Sequence, residues 1–214
     1  MPIPYLRAQK GYRSAEIQGL DLRTNLIDHP NWRLGPLAKF RQGYSDVENN
    51  KVDDLTNRGG SFELGFTGGY VVPVEAAAGA AVLELGSDFL FDASSGHDGY
   101  VITPFVTYNH PITERLRLIG GFNFSYASGD YMSHYFSIDQ SDSRRSGLDE
   151  YDADADVKNI RFSLRAPYQI TNHWSVVPVA AYGLMTGDAA DSPVVDDVGN
   201  ENQFFGAVVG VYTW

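Results

Sequence analysis

Apolar and polar residues alternate with a period of two along most of this chain. In the segment 61–70, Phe62, Leu64 and Phe66 alternate with Glu63 and Thr67. Because successive side chains of a β-strand point to opposite faces of the sheet, the alternation predicts strands with one apolar and one polar face. The same pattern predicts strands in segments 32–41, 81–91, 100–108, 116–126, 160–168, 174–184 and 204–214, and weaker ones in 3–9 and 14–24.

Short and long connections alternate between these segments. The short ones lie around residues 28–30, 73–75, 109–111 and 171–173. The long, polar ones span 44–60, 128–158 and 187–202, with a shorter one at 92–99. Short turns at one end and long loops at the other are typical of an up-and-down barrel in the outer membrane. A soluble barrel of the lipocalin type has no reason to keep its long loops at one end.

The charged residues of the strands share the polar parity. A soluble barrel turns its apolar parity inward, whereas a membrane barrel turns it outward to lipid and keeps charges in the lumen. The predicted lumen-facing residues are Arg33, Lys39, Arg41, Glu63, Glu84, Asp88, Arg117, Arg161 and Arg165. The alternative is a soluble β-sandwich with a charged outer face.

Aromatic residues stand near the strand ends on the apolar parity, as the two interfacial girdles of a membrane barrel require. They are Trp32, Tyr44, Tyr70, Tyr108, Tyr126, Tyr168, Trp174, Tyr182 and Trp214. We therefore predict a single all-β domain over residues 1–214. It is an antiparallel, up-and-down transmembrane β-barrel of about 10–12 strands.

The segment FFGAVVGVYTW carries a further signal. Phe204, Val208, Tyr212 and Trp214 share one parity of this predicted strand. A terminal strand that ends on an aromatic residue is the usual mark of an outer-membrane barrel. We predict that these four residues form the assembly signal, with Trp214 anchored at the membrane interface.

Composition excludes several other classes of protein. The net charge of −11 argues against binding nucleic acid through its phosphates. The chain has no cysteine, so it has neither a disulfide framework nor a thiolate metal site. The longest apolar run, VVPVEAAAGAAVLELG, is interrupted by Pro73, Glu75 and Glu84 and falls short of the roughly 18–20 residues of a transmembrane helix.

Two local patterns resemble parts of known chemical sites. Asp152, Asp154 and Asp156 have the opening spacing of a calcium loop, but Val157 and Ser163 stand where the loop needs Gly and Glu. A solvated acidic flank is favoured over a divalent-cation site shared with lipopolysaccharide.

The second pattern is His97 beside Asp98, with Ser94 and Ser95 close by. It would suit an outer-membrane hydrolase only if the three residue types converged in space, so a polar turn is favoured. The histidines show no metal-ligand spacing. We expect no catalytic residues, no metal and no cofactor.

Several motifs occur together in one order and resemble the MipA/OmpV family of outer-membrane proteins, named for the MltA-interacting protein. They are Gly35-Pro36-Leu37 with Arg41 and Gly43, Ser95-Gly96-His97-Asp98-Gly99, Asp130-Tyr131-Met132 with Tyr135-Phe136-Ser137, Ser146-Gly147-Leu148 with Tyr151, and MTGDAADSPVV at 185–195.

The resemblance implies a function as well as a fold. It implies a structural or scaffolding barrel in the outer membrane of a Gram-negative bacterium. Its partners would be outer-membrane lipid and lipopolysaccharide, together with a lytic transglycosylase and a peptidoglycan synthase. A narrow porin-like channel for small solutes is the alternative. Family members begin with a signal peptide and a strand that precedes a segment like Pro2-Ile3-Pro4, so we expect this chain to start after that strand.

The lumen charges leave two interpretations open. One is a salt-bridged interior that fills a narrow barrel. The other is a cation-lined path for small anionic solutes. Buried charges must be paired or hydrated, which both interpretations allow. The filled lumen is favoured because about 10–12 strands leave little open bore.

Overall fold

A computed structural model describes residues 5–43, 50–56, 58–76 and 79–213. Tyr44 and Trp214, two of the predicted interfacial aromatics, lie outside the described residues. Twelve strands form one antiparallel sheet. They are β1 Tyr5–Lys10, β2 Arg13–Gln18, β3 Asp21–Asn25, β4 Trp32–Arg41, β5 Ser61–Ala76, β6 Gly79–Asp92, β7 Tyr100–Pro111, β8 Arg117–Ala127, β9 Asp156–Arg165, β10 Tyr168–Gln169, β11 Trp174–Met185 and β12 Asn202–Tyr212.

Each strand pairs with its neighbours in the chain. The two-residue β10 continues the line of β9 beyond Ala166 and Pro167, because both strands pair with β11. The sheet curls into a nearly closed barrel with β1 and β12 at its two edges. The predicted all-β, antiparallel, up-and-down barrel is confirmed.

The connections separate largely as predicted, except that the short turn between β2 and β3 lies at the same end as the long loops. The segments 26–31, 112–116 and 170–173 join strands at one end of the barrel, the turn end. The hairpin between β1 and β2 lies there too, since the Tyr12 amide donates to the Asp28 carboxylate at 3.0 Å. The long connections lie at the opposite end, the loop end.

The structure corrects the position of two predicted turns. Strand β5 runs through the predicted turn 73–75 to Ala76. The Val71 amide donates to Asn31, on the side of β4, and residues i and i+2 of a strand face the same side. The backbone nitrogen of Pro73 therefore faces the side of β4, which does not extend that far. Because the described residues place no acceptor on that side, the lack of an N–H at Pro73 costs no ladder hydrogen bond. Strand β7 likewise continues through 109–111, and the turn follows Pro111.

The segment predicted as one weak strand, 14–24, is also different in the structure. It forms β2 and β3, joined by a tight turn at Gly19 and Leu20. Gly19 has φ +63°, a left-handed conformation that favours glycine.

The apolar parity of the strands faces outward. Glu63 and Thr67 of β5 are buried, whereas Phe62 and Phe66 of the same strand are exposed. The predicted outward residues are all exposed: Phe62, Leu64, Phe66, Phe122, Phe124, Phe162 and Leu164. An apolar exterior is what a bilayer requires of a barrel, and it is the reverse of a soluble barrel.

The long loops fold into a cap at the loop end. It contains the helices α1 Asn50–Asp53, α2 Gly129–Phe136, α3 Gln140–Ser146 and α4 Gly187–Asp191, and a π-helical turn Val194–Val198. Helix α2 begins at the N-cap Ser128, whose side chain accepts from the Tyr131 amide. Helix α3 begins at Asp139 and ends at Gly147, which has φ +71°. Within the described residues, no helix is long and apolar enough to cross a membrane.

The cap has its own apolar core, which continues onto the rim of the barrel. The side chains of Met132 and Ala189 are fully buried, and they pack with Val101 and Ala127 at the strand ends. A second cluster joins Leu55, Ile138 and Leu148 from different loops. The loops are therefore packed against one another and against the barrel, and they are more ordered than the polar segments predicted from the sequence.

Candidate functional site

The loop end of the lumen contains a bidentate ion pair. Arg41 on β4 donates from Nε to Glu63 Oε1 at 2.6 Å and from Nη2 to Oε2 at 3.0 Å. Glu63 lies on the neighbouring strand β5, and its side chain is only 1% exposed. This fork geometry is the strongest form of an arginine–carboxylate interaction.

Two other predicted lumen residues pair with partners that the sequence analysis did not single out. Lys39 Nζ lies 2.8 Å from Asp21 Oδ2. Asp88 accepts from both terminal nitrogens of Arg23, and Arg23 also donates to Thr67. Alternating polar residues at 21, 23 and 25 carried the signal for β3, but the segment was assigned to one weak strand.

The remaining predicted lumen residues are more loosely held. Arg33 donates to the carbonyl of His29, and Arg117 donates to Asn109 Oδ1 at 2.7 Å. Glu84 is half-buried, and among the nearby charges Arg33 does most to stabilise its carboxylate. Arg165 is half-buried and Arg161 exposed, and neither forms an ion pair within the described part of the chain. Within the described part of the chain, Arg41 and Glu63 are the only two of the nine that pair with each other. Lys39 and Asp88 pair with residues outside the nine, so the nine do not form one continuous network there.

His97 completes the environment of Glu63. Its buried ring places Nε2 at 3.1 Å from Glu63 Oε1, while Nδ1 accepts from the Gly99 amide at 3.0 Å. Because Nδ1 is an acceptor, the ring proton sits on Nε2 and is donated to Glu63. The Glu63 carboxylate therefore has three hydrogen bonds, two from Arg41 and one from His97.

The hydrolase pattern does not converge. Ser94 donates its hydroxyl to Asp92 at 2.8 Å and accepts from the Phe62 amide, and His97 bonds to Glu63 and not to Asp98. Asp92 organises the turn by also accepting from the amides of Ser94, His97 and Asp98. This turn is structural, and Asp92 was the organising residue that the sequence analysis missed.

Aromatic side chains from the cap form the roof of the site. The ring of Tyr131 in α2 contacts two cations, with Arg41 Cζ at 5.1 Å and Lys158 Nζ at 5.4 Å from its centroid. Tyr135, one helical turn later, places its hydroxyl 3.3 Å from Ser61 Oγ on β5. We call Arg41, Glu63, His97, Tyr131, Tyr135 and Lys158 the lumen cluster.

Lys158 belongs to this cluster because of a β-bulge. Strands β8 and β9 pair Ser125 with Asn159 and then Tyr126 with Val157, so Lys158 is an extra residue on β9. Simple alternation puts Lys158 on the outward parity with Ile160 and Phe162. The bulge breaks that alternation, and no feature of the sequence marked it.

A second charged centre holds the cap together. Asp142 of α3 is buried and accepts from the amide and the hydroxyl of Thr56 at 2.9 and 2.7 Å, from Arg58 Nη2 at 3.1 Å, and from Arg145. Arg58 also donates to the carbonyl oxygens of His134 and Ser137. Two loops, the β4–β5 and β8–β9 connections, are thereby joined at one carboxylate. Sequence analysis missed it because its partners are distant in the chain.

His134 lies beside this centre. Burial, followed by the charge of Arg58, lowers the pKa of His134 below its usual 6.5. Its Nε2 atom is buried without a hydrogen-bond partner. The neutral ring is therefore the form that the cap accommodates.

The acidic segment that resembled the start of a calcium loop has other contacts. Asp188 of α4 accepts from the Asp154 amide at 2.7 Å, and Asp156 accepts from the Val157 amide at 2.6 Å. Across the described residues, no cluster of three or more His, Cys, Asp or Glu side chains could hold a metal ion.

The residues of the predicted assembly signal lie on the outward face of β12. Phe204, Val208 and Tyr212 are all exposed. Tyr212 packs edge-on against Trp174 of β11, with ring centroids 5.1 Å apart. Trp214 lies outside the described residues, and the assembly role of all four stays a prediction.

An up-and-down barrel with an apolar exterior, charged pairs inside and a cap at one end is an outer-membrane β-barrel. The family model described as "MltA-interacting protein MipA" matches residues 1–214, and the chain belongs to this family. It lies in the outer membrane.

Individual relatives agree with this assignment. The chain is 31% identical over 139 residues to "Putative outer membrane protein YiaT" of Escherichia coli strain K12, and equally to the protein of that name from strain O157:H7. Each match covers 64% of this chain and 49% of the relative, so the matched region spans about half of the relatives' length. No solved structure matches the chain.

Proposed function

We propose that this protein is a structural barrel that anchors peptidoglycan-remodelling enzymes at the outer membrane. The observation that carries the proposal is the packed cap that covers the loop end of the lumen. The cap packs its apolar core onto Val101 and Ala127 at the barrel rim, and Tyr131 covers the Arg41–Glu63 pair. A barrel that is closed at one end by a packed cap suits a structural role better than it suits free passage of solutes.

The turn end offers the surface for a partner. Short turns of outer-membrane barrels face the periplasm, where peptidoglycan lies. The hairpin of β5 and β6 extends there beyond the last pair of β4 with β5, Trp32 with Tyr70. Residues Pro73, Val74 and Glu75 pair only with β6 among the described strands, and Glu75 is exposed. The family's name, which refers to interaction with MltA, supports a lytic transglycosylase as the partner.

The test is capture of MltA by the refolded barrel immobilised in detergent. The variant Glu75→Lys reverses one charge on the exposed hairpin, and Glu150→Lys makes the same change on the exposed surface of the cap. We expect wild type and Glu150→Lys to capture MltA alike, and Glu75→Lys to bind about tenfold more weakly. Absence of MltA capture by the wild-type barrel would overturn the proposal.

A narrow channel is the second candidate. It is favoured by Arg161 and Arg165, which point to the polar side of β9 and lack acidic partners within the described residues. Stable, reproducible conductance steps from the refolded protein in a planar bilayer would support the channel. A bilayer that stays silent, together with MltA capture, would leave the scaffold.

A further inference from the structure

Lys158 is a buried lysine, and the backbone bulges at this residue so that its side chain points inward. The bulge makes it the extra residue between Val157 and Asn159, while its carbonyl still pairs with the Thr186 amide of the next segment at 3.1 Å. Bulges bend a strand and redirect a side chain, and they are common beside functional sites. A lysine on the outward parity would face lipid, where a charge is costly.

The surroundings of Lys158 are more positive than negative. Only 8% of its surface is exposed, and no carboxylate within the described residues lies at ion-pair distance from its Nζ. The largest charge effects on it come from the cations Arg41, Lys39 and Arg161, followed by that of the acid Glu63. Glu63 is already engaged by Arg41 and His97, so its negative charge is shared.

The polar groups next to Lys158 have hydrogen-bonding capacity to spare. Asn159 Oδ1 is buried without a partner, and as an acceptor it can bind a donor group of a ligand, such as the hydroxyl of hydrogen phosphate. Arg161, on the same strand, is exposed and unpaired among the described residues. Arg161 faces the polar side of the sheet, and its charge acts on Lys158.

We propose that Lys158, with Asn159 and Arg161, binds a small soluble oxyanion, a phosphate or carboxylate group, in the lumen directly below the cap. The ammonium of Lys158 and the guanidinium of Arg161 donate to such an anion, and Asn159 Oδ1 accepts from its hydroxyl where it carries one. The anion neutralises a cation that has no acidic partner of its own. Its source is the water of the lumen and not a lipid headgroup, because the bulge turns Lys158 away from the bilayer. The site is independent of any enzyme partner at the turn end.

The test is whether inorganic phosphate binds saturably to the full chain refolded in detergent. Equilibrium dialysis measures the binding, and thermal unfolding measures its effect on stability. Sodium chloride at equal ionic strength is the reference, and sodium acetate tests carboxylate. We expect phosphate to raise the unfolding midpoint of the wild-type protein by about 2–4 °C over chloride. Lys158→Met should abolish both the shift and the saturable binding, and Arg161→Met should reduce them.

Lys10→Met is the matched control, since it removes the same charge from an exposed site near the turn end. It should retain the phosphate response. Lys158→Gln is a second variant that keeps a polar side chain if the methionine variant does not fold. Equal responses of wild type and a folded Lys158 variant, or equal effects of chloride and phosphate, would overturn the site. Phosphate that binds the wild-type protein without saturation would overturn it as well.

Discussion

Arg41 on β4 and Glu63 on β5 form a forked ion pair across the strand boundary, and the carboxylate is almost completely buried. The neighbouring pair, Lys39 with Asp21, joins β4 to β3, but its side chains are 31% and 43% exposed. Two ion pairs of the same barrel thus differ mainly in burial. Removing one partner from a buried pair leaves an uncompensated charge, whereas an exposed pair contributes little.

We therefore expect Glu63→Gln to lower the free energy of unfolding by about 3–5 kcal/mol. Asp21→Asn should change it by less than about 1 kcal/mol. Chemical denaturation of the refolded barrels, followed by the shift between folded and unfolded bands on gels, measures both. The double variant Arg41→Met with Glu63→Met should recover part of the loss, because no buried charge remains unpaired. Equal costs for Glu63→Gln and Asp21→Asn would contradict this account.

Asp142 is also a buried carboxylate paired with cations, and the cap depends on it. The effect of removing Asp142 should be confined to the cap. Asp142→Ala removes the acceptor for Thr56, Arg58 and Arg145 and leaves two cations near one another. We expect trypsin to cut the variant at Arg144 or Arg145 at least about tenfold faster, because local opening exposes α3. The barrel itself should keep its folded band on gels.

Asp149→Asn, a change at an exposed acidic residue of the same loop, is the control for the trypsin experiment. It should be cut at the wild-type rate. If Asp142→Ala also resists trypsin, the cap is held by its apolar core alone.

Much of the fold could be predicted from the sequence because each strand of a barrel repeats the same rule. Phe62 and Glu63 are adjacent in a strand, so they had to face opposite sides of the sheet. The alternation of short and long connections then indicated a membrane barrel, whose apolar side faces outward. Lys158 shows where the rule ends. A single bulge changes the face of one residue, and its cause lies in the pairing with Ser125 and Tyr126, which is distant in the chain.

The cap was missed for a different reason. Ser128 before an acidic first turn, with Tyr131 and Tyr135 four residues apart, carries the local signals of a short helix. An eight-residue helix is marginal by itself, and its stability comes from packing against other loops. The contacts of Asp142 with Thr56 and Arg58 could not be predicted from spacing, because they join segments separated by 86 and 84 residues.

His134 should make the cap sensitive to pH. The pKa of His134 is lowered in the folded cap, mainly by burial and then by the charge of Arg58. The opened cap binds a proton more readily, so the stability of the closed form is complete above about pH 6.5. This stability is lost progressively as the pH falls from about 6.5 to the lower pKa of the folded state.

Hydrogen exchange of the α2 amides between pH 7.5 and 5 measures this opening after correction for intrinsic exchange rates. We expect protection to fall toward pH 5 in the wild-type protein and to stay level in His134→Gln, which has no titrating ring. A wild-type protein and a His134→Gln variant with the same pH profile would assign the change to another group.

The last prediction concerns the outward aromatic residues of β12. Tyr212 is the register partner of Trp174 and packs edge-on against it, so Tyr212→Ser removes a ring contact of about 0.5–1.5 kcal/mol and some lipid-facing area. Phe162, which pairs with Phe122 at 5.0 Å in the middle of the sheet, is an equivalent outward ring outside the predicted assembly signal. If β12 carries that signal, Tyr212→Ser should reduce the folded protein recovered from outer membranes several-fold, whereas Phe162→Ser should have a smaller effect. Both variants, refolded in detergent, should show similarly small losses in unfolding midpoint, and Tyr212→Phe should assemble like wild type because the ring is kept. Equal recovery of the two serine variants from cells would mean that β12 is an ordinary strand of the barrel.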